Sequence, residues 1–168
     1  MAMSYDMFIQ IDGIQGDSAD EAHSKWIEIN SYSHRISQPV GGALSAQGVH
    51  TGGRADHADF SVVHRLDSAT PILSLHCCTG KHIPNIRFEL CRAMGDKTTF
   101  MVYTFKDVII ASVSPSGSAD TEDPLPMEEM TFRYGQINWE YTPTDITGGG
   151  KKGAAVQAGW STLMNKPM

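Results

Sequence analysis

Between Ala58 and Ile83 the chain changes its hydrophobic period once. Phe60, Val62, His64 and Leu66 alternate with Ser61, Val63 and Arg65, the pattern of a strand with two unlike faces. Ile72, Leu75, His76 and Thr79 then follow at helical spacing. Asp67 or Ser68 is placed to cap that helix, Pro71 falls in its first turn, and Gly80 stands where a left-handed terminal residue is needed. Alternation returns from Asn85 to Arg92. The spacing predicts strand, one short helix, strand, and no other convincing helix.

Elsewhere the period is two. Met7, Ile9 and Ile11 predict a first strand that ends at Gly13 to Gly16, before a polar turn with Asp17, Asp20 and Glu21. Trp26 to Arg35 predicts a second, with Ile27, Ile29, Ser31 and Ser33 on one face. Phe100–Phe105 and Val108–Val113 form an apolar run interrupted at Lys106-Asp107. Met130, Phe132 and Tyr134 make a further strand, broken by Gly135 before Ile137, Trp139 and Tyr141. Two stretches lack any period: Gln38–Asp56, rich in glycine, and Ser114–Pro126, polar and rich in proline. The first is long for a connection inside a compact domain, so it is functional or mobile, and a subunit reaching to a neighbour gives it a purpose. The tail from Pro143 is rich in glycine. About seven or eight strands with one helix predict a mainly β fold, a barrel or sandwich carrying the helix on its side.

Composition narrows the class. A chain of 168 residues, 40% hydrophobic and 19% charged, fits a single domain over residues 1–168 with a full-sized core. The formal net charge of −6, without a basic patch, argues against nucleic acid as a partner. No stretch is long and apolar enough to span a bilayer, and the start lacks the basic region of a secretion signal. Cys77, Cys78 and Cys91 are odd in number with two adjacent, which predicts reduced, mostly buried thiols and folding in the cytoplasm.

Chemistry-bearing patterns are sparse. His57 and Asp59 share a strand parity that His64 does not, and neither HExxH nor paired CxxC occurs, so no metal site is expected. Gly148–Gly153 satisfies G-x-G-x-x-G without the strand before or helix after that dinucleotide binding requires, and reads as a linker. Glu128 and Glu129 are neighbours that alternation sends to opposite faces, which spoils a paired-carboxylate mechanism. No catalytic residue and no cofactor is predicted.

An ordered set of short motifs runs the length of the chain: DMFIQIDGIQGDS, SYSH, GRADHADFSVVH, LDSATPIL, CCTGKHI, ELCRAMGDK, DVIIASVSPSG, LPMEEMTFRYGQINWEYTPTD and GWSTLMNK. In this the chain resembles the haemolysin-coregulated protein family, Hcp, the inner-tube subunit of the type VI secretion system. The resemblance implies a β-barrel of two sheets with one helix, homohexameric rings, and rings stacked into a hollow tube. It implies spike and sheath components as partners, small effector proteins in the lumen, and export through the type VI apparatus without a signal peptide. The strand containing SYSH would line the lumen, with Ser33 as effector contact and Ser31 its same-face neighbour. Gly41, Gly42, Gly48, Gly52 and Gly53 would belong to a loop reaching to the next ring. The tail stops soon after the last motif, so no fused effector domain is expected. Two other readings stay open: a ring-only effector chaperone, and a stand-alone secreted β-barrel hydrolase using His57, Asp59 or His64.

Overall fold

The computed structural model describes residues 5–40, 52–93, 97–145 and 150–168. The elements are β1 (Tyr5–Ile11), β2 (Ile27–Ile29), β3 (Ser31–Ser33), β4 (Ile36–Ser37), β5 (Asp56–His57), β6 (Phe60–Arg65), α1 (Thr70–Thr79), β7 (Ile83–Arg92), β8 (Thr99–Ser116), β9 (Met127–Tyr141), β10 (Val156–Ser161) and β11 (Lys166–Pro167). As expected, the described residues are mainly β with one helix.

Nine strands form one antiparallel sheet in the order β11-β10-β9-β8-β7-β1-β2, with β6 also on β9 and β3 on β6. The long strand β9 makes this branching possible. Its first half pairs with β6, from Phe60↔Phe132 to Arg65↔Met127, and its second half with β10, from Ser161↔Gln136 to Val156↔Tyr141. Gly135 sits at the changeover, where a Cβ would lie 2.9 Å from Asp107 Cβ and 3.0 Å from Leu163 Cδ1. The break expected at Gly135 is therefore a change of partner inside one continuous strand. β8 likewise runs through Lys106-Asp107, where Asp107 takes φ 55°, and continues to Ser116. Its hydrogen bonds to both neighbours override the local interruption.

The strand expected from Trp26 to Arg35 is two strands with opposite parity. Ile27 and Ile29 are buried on β2, whereas Ser31 and Ser33 are exposed on β3 and Tyr32 points inward. A bend at Asn30, whose N–H donates to Val63 O at 2.8 Å, shifts the side-chain phase by one residue. Ser31 and Ser33 thus do not share a face with Ile27 and Ile29. Chain continuity through Asn30 brings the β2 and β3 ends of the sheet close, but no ladder joins them, and the two sheets are not closed. The second sheet is the short β4–β5 pair.

Between the faces lies an aromatic core centred on Phe60, which is fully buried. Phe88, Tyr103, Phe105, Phe132 and Tyr32 surround it with ring centroids 4.8–5.8 Å away. Burying each such ring contributes about 1.5–3 kcal/mol. α1 covers part of β8 with Ala69, Leu73 and His76, one turn-spaced stripe. Of the residues read at helical spacing, His76 is buried, while Ile72 and Leu75 stand at 39% and 56% exposure on the outer side. Neither Asp67 nor Ser68 caps the helix. Ala69 occupies that position, and Asp67 Oδ1 accepts from the Ala69 N–H in the preceding turn. Gly80 takes the left-handed conformation expected of it, φ 65°. The three thiols are free as expected, but only Cys91 is buried and Cys78 is exposed.

Candidate functional site

The outer face of β3, β6, β9 and β8 is a wall of small hydroxyls. The register places Ser33 opposite Ser61, Ser61 opposite Thr131 and Thr131 opposite Ser112, a single row across four strands. Alternation explains it: Phe60, Val62, Met130 and Phe132 take the inward positions, so their neighbours face out. A register shift between Ile110 and Ser112 sets Ser112 beside Thr131, their hydroxyl oxygens 2.5 Å apart. The adjacent row holds Ser31, Val63, Glu129 and Ser114, and Ser61 Oγ donates to Glu129 Oε1 at 3.0 Å. Arg133 and Asp59 pair at 2.7 Å at the edge of this wall. The surface offers donors and acceptors in small, short side chains and little apolar grip.

The Gly-rich stretch, read from sequence as aperiodic, has a paired stem. β4 and β5 match Ile36 with His57 and Ser37 with Asp56, and Val40 bridges Gly52. The Gly53 N–H donates to Gln38 Oε1 at 2.7 Å. Among the described residues this ribbon pairs only with itself, and Arg54 ties its base to Thr162 O at 2.8 Å. Of the predicted loop glycines, Gly52 and Gly53 lie in the stem. Gly41, Gly42 and Gly48 lie outside the described residues.

His57, Asp59 and His64 do not gather into one site. His57 Nδ1 and His34 Nε2 both meet the Tyr134 hydroxyl, at 2.7 and 2.8 Å. Burial lowers the pKa of both histidines, and the charge of His57 lowers that of His34 further. Burial also raises the Tyr134 phenol. Asp59 serves Arg133. His64, 1% exposed, pairs through Nε2 with Glu128 Oε1 at 3.1 Å, and Glu128 is fully buried. Burial raises the pKa of Glu128 and of Asp67, whose Oδ1 lies 3.9 Å from His64 Nδ1. These groups join β6, β9 and the approach to α1 behind the hydroxyl wall. Glu128 and Glu129 do point to opposite faces, one buried and one exposed.

Sequence reading missed one buried cluster, His23 with Glu89 and Cys91, because its members lie far apart in the chain. The one available signal was the same-parity pair Glu89 and Cys91, opposite the apolar positions Ile86, Phe88 and Leu90 of the same strand.

Fold and surfaces together define a β-rich module with a polar sheet face and a projecting ribbon. The family model described as type VI secretion system effector, Hcp, matches residues 8–141. Protein hcp1 of Pseudomonas aeruginosa is 32% identical over 164 residues, covering 97% of this chain and 98% of that protein. A solved structure described as that of a type six secretion system protein superposes with a TM-score of 0.91 at 30% identity, covering 98% of this chain and all of that one. Hcp1 of Salmonella typhimurium superposes with a TM-score of 0.80 at 31% identity, over 99% of this chain and all of that one. The chain belongs to the Hcp family of the type VI secretion system.

Proposed function

We propose that the chain is an inner-tube subunit that closes into six-membered rings, stacks them into a hollow tube, and carries small effector proteins in the lumen. The observation that carries this reading is the hydroxyl row Ser33, Ser61, Thr131 and Ser112 on the outer face of a sheet whose inner face is aromatic core. A lumen wall must stay wet when empty and hold cargo weakly enough to release it, which short hydroxyls do and an apolar wall does not. Ser33 and Ser31 are the cargo-facing residues of β3. The ribbon ending at Gly52 and Gly53 reaches towards the next ring.

Ring closure needs a heterologous contact in which one copy meets a different surface of the next. Apolar side chains left exposed on a single chain supply material for it: Val156 at 67%, Leu163 at 71% and Met164 at 61%, all on or beside β10. The subunit works by assembling with itself and with spike and sheath components rather than by catalysis. It folds in the bacterial cytoplasm and leaves by way of the secretion machine it builds.

Light scattering on a size-exclusion column tests the ring. The expected particle is about 110 kDa, six copies of the 18.3 kDa chain. A monomer at micromolar concentration overturns the reading. Electron micrographs at high concentration then separate a tube former from a ring-only chaperone.

A further inference from the structure

One face of β7 does not belong to the aromatic core. Phe88 and Leu90 face that core, while Glu89 and Cys91 face the segment 13–26, which folds over them. That segment is internally tied. Gly16 N–H donates to Lys25 O at 2.8 Å, Lys25 N–H to Ser18 O at 2.8 Å and Ser18 N–H to Trp26 O at 3.0 Å. It delivers His23, 5% exposed, between the Phe8 ring, stacked at 4.1 Å, and the Trp26 ring, edge-on at 4.7 Å. The imidazole is thereby fixed in place, with Nε2 aimed at Glu89 Oε1, 3.3 Å away, and at Cys91 Sγ, 3.8 Å away.

We propose that His23 Nε2, Glu89 Oε1 and Cys91 Sγ form a binding site for a borderline divalent cation, zinc being the chemical best fit. Three independent features support it. First, the spacing matches: tetrahedral zinc at its usual bond lengths separates a nitrogen from an oxygen by about 3.4 Å and a nitrogen from a sulfur by about 3.6 Å. The three donor atoms already lie within 4.8 Å of one another, so closure needs only small side-chain movements. Second, the outer partners are those of a metal site. Asp20 Oδ2 holds His23 Nδ1 at 2.7 Å, which leaves Nε2 free to face the cluster as a ligand. Arg87 occupies Glu89 Oε2 at 2.7 Å, which leaves Oε1 for the cation, and Lys97 anchors Asp20 Oδ1 at 2.6 Å. Third, an imidazole, a carboxylate and a thiol together suit zinc or cobalt and not magnesium or calcium, which take oxygen ligands.

Cys91 binds as thiolate and its proton leaves to solvent. The Thr99 hydroxyl, 3.0 Å from Glu89 Oε1 and 3.3 Å from Cys91 Sγ, borders the fourth side, where a water completes the set. The bound cation would pin segment 13–26 to β7, a cross-link between parts of the chain 66 residues apart. This site lies away from the hydroxyl wall, so it stands or falls independently of the tube reading.

The test uses the full chain with Cys77→Ser and Cys78→Ser, which removes the two thiols outside the cluster. The reduced protein is unfolded with chelator, freed of metal, and refolded with Co²⁺. The expected result is one Co²⁺ per chain, with thiolate-to-cobalt absorption in the near ultraviolet and the visible bands of a four-coordinate ion, both displaced by Zn²⁺. Cys91→Ser and His23→Gln abolish the thiolate band and the zinc-dependent rise in melting temperature. Asp20→Asn, which keeps the ligands, weakens binding by about 10–100-fold. Glu89→Gln, close in shape, guards against misfolding: with native circular dichroism it must still bind Co²⁺ more weakly. Absence of a thiolate band in the parent protein, or binding that Cys91→Ser, His23→Gln and Glu89→Gln leave unchanged, overturns the site.

Discussion

Replacing Glu128 by alanine tests whether the buried His64–Glu128 pair holds the polar wall to its core. Both side chains are almost sealed from solvent, at 1% and 0% exposure, and their contact is 3.1 Å. His64 Nδ1 lacks a hydrogen-bond partner, with Asp67 Oδ1 3.9 Å away, so no second hydrogen bond is in place to take over. Glu128→Ala leaves a buried imidazole with neither nitrogen hydrogen-bonded, and the loss expected from breaking one half of a buried pair is about 4 kcal/mol. For a chain of this size that lowers the melting temperature by about 8–16 °C. Glu128→Gln keeps an acceptor for Nε2. The amide matches the carboxyl in shape, and its effect should stay below about 1 kcal/mol. The double variant His64→Leu, Glu128→Met removes both polar groups at similar volume and should recover most of the loss. Guanidinium unfolding of the four proteins under matched conditions reads these values directly. Equal damage from Glu128→Gln and Glu128→Ala, or an alanine variant within about 1 kcal/mol of the parent, refutes the reasoning.

Further outcomes follow from other parts of the structure. Ser33→Gln projects a longer side chain from the hydroxyl row; effector co-purification should fall while the ring mass is unchanged, and full retention of cargo would remove Ser33 from the wall's function. His34 and His57 both have folded pKa values below 6.5, so the unfolded chain binds more protons as pH drops below that value. The contribution of these residues to stability is therefore complete above about pH 6.5 and is lost as pH falls towards their folded values. Melting curves from pH 7.5 to 5.0 should show this loss, and His57→Asn, which mimics Nδ1 without titrating, should flatten the slope; a parallel slope would count against the assignment. Gly16→Ala would place a Cβ 2.6 Å from Trp26 O and 2.9 Å from Ile27 Cα, backbone atoms that cannot yield cheaply. A stability loss of about 1–3 kcal/mol is expected in denaturant titration, and a neutral result would show that segment 13–26 moves freely.

Local pattern was enough wherever one residue's neighbours decided its state. The alternation of Phe60, Val62 and His64 gave the inward face of β6, Gly80 ended the helix as read, and the adjacent Glu128 and Glu129 separated onto opposite faces. The ordered motifs pointed to the Hcp family, and the comparisons bear this out. What the chain alone could not settle depended on partners distant in sequence. The bend at Asn30 exists because its N–H reaches Val63 O, and that one bond moves Ser31 and Ser33 from the face of Ile27 to the outer wall. The continuity of β8 and β9 through Asp107 and Gly135 depends on the strands beside them, which a local break signal cannot report. Helical spacing left the rotation of α1 open, and the sheet buried Leu73 and His76 while Ile72 and Leu75 stay exposed. His23, Glu89 and Cys91 met only on folding. Period and composition determined the fold class; register and long-range hydrogen bonds decided which side chains face each other, and with them the wall and the buried clusters.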